Sequence, residues 1–226
     1  MVHSRERRVA AAYTDRVELK VYPSDRPFAA LLLAHGAGAG QMSPFMVRVA
    51  TGLAERGLST ATFDFAYMQA GRKVPDRAPA LESAWRDAIG AARTQFEGLH
   101  LYIGGKSMGG RIASHVASQG GSGPLAGLVF LGYPLHPPGR PDQRRDAHLP
   151  AIAEPMLFVQ GSRDAFGSGV EIRELLASLR HAELEEIDGG DHSFKVPGGA
   201  ARNQPVLPHV MDRVIAWARR TVARST

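Results

Sequence analysis

Continuous apolar runs recur along the chain, and stretches with helical spacing lie between them. The run Ala29–Ala34 (AALLLA) has no polar residue at all. A strand that does not alternate apolar with polar positions must be covered on both faces, which is the condition of a parallel strand in a layered α/β domain. Residues 17–22, 29–34, 60–65, 99–103, 125–131, 155–160 and 182–187 are therefore predicted as strands. Residues 45–56, 81–96, 108–118, 170–180 and 206–224 are predicted as helices. In the first of these, Phe45, Val49, Ala50, Leu53 and Ala54 share a face, and Gly57 is its stop. In the second, Trp85, Ile89 and Ala92 do the same. The alternation implies an α/β fold: a mostly parallel sheet with helices on both faces, joined by right-handed crossovers. No repeat, low-complexity linker or break in composition divides the 226 residues, a length suited to one core. Residues 1–226 are read as a single domain, with 1–15 as a flexible or peripheral N-terminal segment.

Composition removes several classes of function. Hydrophobic residues make up 44% and charged residues 22%, an ordinary globular balance. Cys is absent, which excludes disulfides, thiolate catalysis and Cys-ligated metals. No apolar run is long enough for a membrane span. The start, MVHSRERRVAAAYTDR, has no apolar signal-peptide core, so a cytoplasmic location is expected. The net charge of +5 comes from 23 Arg and 4 Lys against 22 acidic residues, and the cations are spread along the chain. With no basic stripe and no interleaved aromatics, this reads as a solvated Arg-rich surface and not as a nucleic-acid site. No His or carboxylate cluster has metal-ligand spacing, so no metal or other cofactor is expected. The oligomeric state is left open.

In open α/β sheets, ligands gather at the carboxyl ends of the strands. The informative loops of this chain all fall there. Gly105-Lys106-Ser107-Met108-Gly109 matches G-x-S-x-G between an apolar strand and a small-residue helix. In such an elbow the Ser sits on a strained strand-to-helix turn. Its hydroxyl is held outward, and the helix N-terminus favours developing negative charge. A P-loop is rejected, because it needs Gly five residues before Gly105 and position 100 is His. A dinucleotide fingerprint is also rejected, since HGAGAGQ has Gln41 where Gly or Ala is required.

The order Ser, acid, His along the chain then selects the partners. Asp164 follows a strand in GSRDAFG, and His192 follows the next in DGGDHSF. His192 would take and return the Ser107 proton, and Asp164 would fix the imidazole tautomer. Asp188 and Asp191 are rival acids; both share a loop with His192. The oxyanion needs two backbone N–H groups. Met108 and Ala37, the latter in the loop LAHGAG, are the expected donors, with Gly38 as second choice. His35 is read as a buried residue tying that loop together.

These segments together resemble the α/β-hydrolase superfamily over roughly residues 17–220. The tracts GGKSMGGR, LGYPLHPPGRP and DHSFK are similar to those of a small cap-less branch that includes dienelactone hydrolases and uncharacterised bacterial hydrolases. Some eukaryotic relatives of that branch have non-catalytic or unclear roles. In dienelactone hydrolases proper the nucleophile is Cys, whereas here it would be Ser107. The resemblance implies a hydrolase fold without a cap domain, and a serine hydrolase acting on a small-molecule ester or thioester. The alternative is a non-catalytic interaction protein on the same fold. Caps of this superfamily enter at the connection equivalent to residues 132–154, which is here proline-rich and too short for one. A shallow or open site is expected, lined by Tyr67, Met68, Tyr133 and His136, with Leu135 beside them. Arg72, Lys73 and Arg77 on one loop and Arg140, Arg144 and Arg145 on another would make a basic rim.

Overall fold

The computed structural model describes residues 17–224, so the N-terminal segment 1–15 lies outside the described residues. Seven strands form one sheet: β1 (Lys20–Tyr22), β2 (Ala29–Ala34), β3 (Leu58–Phe63), β4 (Leu101–Lys106), β5 (Gly127–Leu131), β6 (Met156–Gly161) and β7 (Ala182–Ile187). Their spatial order is β1-β3-β2-β4-β5-β6-β7. Only β1 is antiparallel, against β3; the other neighbours pair in parallel.

The apolar runs are explained by the two layers they separate. In β2 the side chains of Ala30, Leu32 and Ala34 enter the core on one face, and those of Ala29, Leu31 and Leu33 enter the core on the other. The first core is completed by α3 (Ala78–Gln95), α4 (Met108–Gln119) and α5 (Gly169–Leu176), with Trp85, Ile112 and Ile172 buried against the sheet. The second is completed by α1 (Pro44–Ala54) and α7 (Val206–Ala223), which bury Val49, Leu53, Val214 and Trp217. Two short helices, α2 (Ala66–Gln69) and α6 (Ala200–Asn203), sit in the loops of the carboxyl edge. The edge strand β7 reads AELEEI, and its glutamates pair with Arg220, Arg213, His209 and Arg173. Such exposed pairs add little stability, but a charged edge resists addition of a further strand.

Two predicted strands shift. The third was expected at 60–65 but begins at Leu58, because Gly57 (φ +95°) turns the chain straight into pairing with Ala29. Its tail, Phe65, instead precedes α2 and packs under the loop. The fourth was expected at 99–103 but continues through Gly104, Gly105 and Lys106, which pair with β2 and β5. Glycines here are part of the strand because the neighbouring backbone lies so close.

No cap is present. Residues 132–154 fold back on the body of the protein, burying Leu135, Leu149 and Ile152, and the Tyr133 hydroxyl donates to the Arg145 carbonyl at 2.7 Å. Among the described residues, no helix is long and apolar enough to cross a membrane.

Candidate active site

Ser107 lies between the last residue of β4 and the first of α4, with φ 52° and ψ −119°. Apart from Phe194, it is the one described non-glycine residue with positive φ. Strain of this kind persists only where the surroundings over-determine it. Here the flanking glycines allow α4 to start against the end of β2. A Cβ on Gly105 would lie 2.3 Å from the Ala34 carbonyl oxygen, and one on Gly109 2.5 Å from the same atom. The Ser107 N–H donates to the Leu131 carbonyl (3.1 Å), and the Trp85 indole N–H donates to the Gly109 carbonyl (3.1 Å). Both ends of the turn are therefore anchored.

The carboxyl ends of β6 and β7 bring the two partners to this turn. His192 Nε2 is 2.8 Å from Ser107 Oγ, and His192 Nδ1 is 2.7 Å from Asp164 Oδ2. The Asp164 side chain is fully buried and accepts two further bonds, from the Phe166 N–H (2.8 Å) and the Gln160 amide (2.9 Å). Three donors thus satisfy the lone pairs of one buried carboxylate. The rival acids do not reach the imidazole. Asp191 instead accepts the Ser193 and Lys195 N–H groups and shapes the turn that carries His192.

Several residues of this cluster escaped the sequence reading. Gln160, at the end of β6, also donates to the Gly167 carbonyl (2.7 Å) and accepts the Tyr133 N–H (2.7 Å), so one buried amide orients the acid and two loops. The Phe166 ring lies 4.3 Å from the His192 ring. Lys106 Nζ donates to the His192 carbonyl at 2.5 Å, between the Phe45 and Phe194 rings. Burial lowers the Lys106 ammonium to about 8, against the opposing pull of Asp164 and Asp191.

The loop after β2 is held from beneath. His35 donates from Nδ1 to the Gly36 carbonyl (2.7 Å), and its Nε2 accepts the Phe65 N–H (3.2 Å). That pattern requires the neutral ring, and burial lowers the His35 pKa in the same sense. The ring is fully enclosed, as expected of a residue tying the loop together. The Tyr67 hydroxyl donates to the Ala37 carbonyl (3.1 Å); burial, then Asp64 and Asp76, pushes its phenol up to about 12, so it remains a donor. Ala37 and Met108 both face the cavity beside Ser107, and the Met108 N–H is one of the orphan donors at the start of α4.

A cavity of about 1010 Å³ opens over Ser107. A shallow or open site was expected, and a sizeable, partly open cavity is found. Helix ends replace a cap as walls: the first turn of α1, residues 75–81, residues 193–195 and residues 203–207 rise around the serine. None of the four expected lining residues is on the cavity surface. Tyr67 and Tyr133 are buried with their hydroxyls bonded to backbone, and Met68 packs towards Gly40. His136 is buried and bonded to the Pro137 carbonyl and Glu171. All four hold the loops onto the core. Of the expected basic rim, Arg145 alone faces the cavity; Arg72 is paired with Asp76 and Arg144 with Asp146.

A serine on a strand-to-helix elbow, bonded to a histidine and through it to an aspartate, at the carboxyl edge of a cap-less sheet of this order, is the architecture of the α/β hydrolases. Comparison with known proteins agrees. Residues 27–219 match the family described as "Alpha/beta hydrolase domain", and the chain belongs to that family. Its fold is similar to that of an alpha-beta serine hydrolase homologue from Coxiella burnetii (TM-score 0.70, 16% identity, covering 88% of this chain and 90% of that one). It is also similar to a dienelactone hydrolase from Anabaena variabilis (TM-score 0.69, 21% identity, 90% and 91% covered). A third similar structure is a serine hydrolase without lid from Xanthomonas campestris (TM-score 0.65, 17% identity, 92% and 88% covered).

Proposed function

We propose that this protein is a serine hydrolase that cleaves a small-molecule carboxylic ester or thioester through an acyl-enzyme. The observation that carries the reading is the unbroken chain of bonds from Ser107 Oγ through His192 to Asp164, at 2.8 and 2.7 Å. Both distances lie within the reach that proton transfer to a general base requires. Oγ attacks the substrate carbonyl carbon while its proton passes to His192 Nε2. Asp164 keeps the other proton on Nδ1 and stabilises the imidazolium. The carbonyl oxygen becomes an oxyanion, and the N–H groups of Met108 and Ala37 are its donors. Collapse breaks the bond to the leaving oxygen or sulfur, which takes the proton from Nε2 and departs as alcohol or thiol. Water then repeats the sequence on the acyl-Ser107 ester and releases the acid.

A fluorophosphonate probe tests this reading. The wild-type protein is expected to label on the peptide carrying Ser107, with Ser107→Ala unlabelled and equally stable to heat. A folded wild-type protein that does not label would place the chain with the non-catalytic members of its fold.

A further inference from the structure

The mechanism uses none of the charge that surrounds it. Arg48, Lys106, Arg111, Arg145 and Lys195 line the cavity against one carboxylate, Asp76, and Asp76 is taken by Arg72 at 2.7 Å. Two of these cations stand out. Among the described residues, Arg111 has no ion pair, and its Nε is buried with no hydrogen-bond partner. Arg145 likewise has no carboxylate partner; only its backbone is engaged, by the Tyr133 hydroxyl and the Leu135 carbonyl.

Nothing in the local structure explains this placement. Arg111 is in the first turn of α4, where the positive end of the helix disfavours a cation. Burial and the nearby charge of Arg145 add to that cost. The acids close by are all committed elsewhere. Glu82 binds His115 and Gln119, and Asp146 binds Arg144. A buried guanidinium nitrogen left without a hydrogen-bond acceptor is costly, and an arriving anion offsets that cost. Two guanidiniums opening on the cavity that holds Ser107 offer fork-shaped donor sets matched to a carboxylate or phosphate.

We propose that Arg111 and Arg145 form a subsite for an oxyanion, a carboxylate or phosphate carried by the substrate in addition to the bond that Ser107 attacks. The proposal rests on the hydrolase reading for its substrate, but its ligand is a separate question. Ala78, Leu81 and Ile112 line the same cavity, so the anion would be attached to an apolar segment.

Matched ester pairs test it. The 4-nitrophenyl monoester of glutaric acid is compared with 4-nitrophenyl valerate, and 3-carboxyphenyl valerate with phenyl valerate. These pairs place the anion on the acyl or the leaving side. The readout is the ratio of kcat/KM for the anionic over the neutral ester. It is expected to fall at least about tenfold in Arg111→Gln and in Arg145→Gln for one of the pairs. Arg140→Gln, an exposed loop change of the same charge, is expected to keep the wild-type ratio. A ratio unmoved by both cavity variants, in both pairs, would overturn the subsite and leave the hydrolase reading intact. Calorimetric titration with glutarate and with inorganic phosphate separates the two claims. Binding of either that is lost in Arg111→Gln supports the subsite even if no ester is cleaved. Absence of binding by both, with no charge preference among esters, overturns it.

Discussion

Asp164 and Asp188 both follow strands at the carboxyl edge, but only one can serve the imidazole. Asp164 is buried and bonded to Nδ1, whereas Asp188 is exposed on the turn that carries His192. Replacing Asp164 by Asn should keep the fold while favouring the wrong tautomer, costing up to ~10⁴ in kcat, as in a well-studied serine protease triad. Asp188→Asn is expected to cost far less, and steady-state kinetics on one ester compares them; reversed losses would make Asp188 the acid. The three residues of this chain of bonds were legible in the sequence because each lies in a loop just past a predicted strand, so topology alone brings them to one edge. The residues that support them were not. Gln160 and Lys106 lie inside predicted or observed strands, and one partner of each, Tyr133 and His192, is 27 and 86 residues away in the chain. Tyr67, Met68, Tyr133 and His136 followed the right strands but point into the body, because tight loops without a cap need buried anchors. A loop position predicts nearness to the edge, not the direction of a side chain.

The turn formed by β4 and α4 is the element on which the site depends. Its strain at Ser107 is tolerated because Gly105 and Gly109 let two backbones approach to distances that no Cβ permits. Gly109→Ala would place a methyl against the carbonyl oxygens of both Ala34 and His35, at 2.5 and 2.6 Å. Backbone cannot yield as a flexible side chain does, so a loss of about 1–3 kcal/mol is expected. Denaturant unfolding would measure it. Ordinary helix propensity argues the other way, since Ala in a helix interior is favoured over Gly by roughly 1 kcal/mol. A stabilised variant would therefore mean that α4 is free to move away from β2. At this scale the sequence pattern located each of the seven strands, and the error in β4 came from treating glycine as punctuation. Gly104 and Gly105 continue β4, and α2 and α6 are too short to show a helical period.

At the scale of the molecule, the sheet delivers the chemistry and the surrounding helix ends make the cavity. The fold class was legible because seven predicted strands with intervening helices admit few arrangements. The cavity was not, since its walls come from segments distant in sequence, including the starts of α1, α3 and α7. Those walls surround Ser107 and present Arg111 and Arg145 to whatever occupies the cavity. The central claim is that Ser107 carries the acyl group during turnover. Mass spectrometry of the protein quenched during hydrolysis of a slowly deacylating 4-nitrophenyl ester tests it most directly. The account predicts an added mass equal to the acyl group, mapped to the peptide that holds Ser107 and absent from Ser107→Ala. An adduct on Lys106 instead, or steady turnover by Ser107→Ala at the wild-type rate, would contradict it.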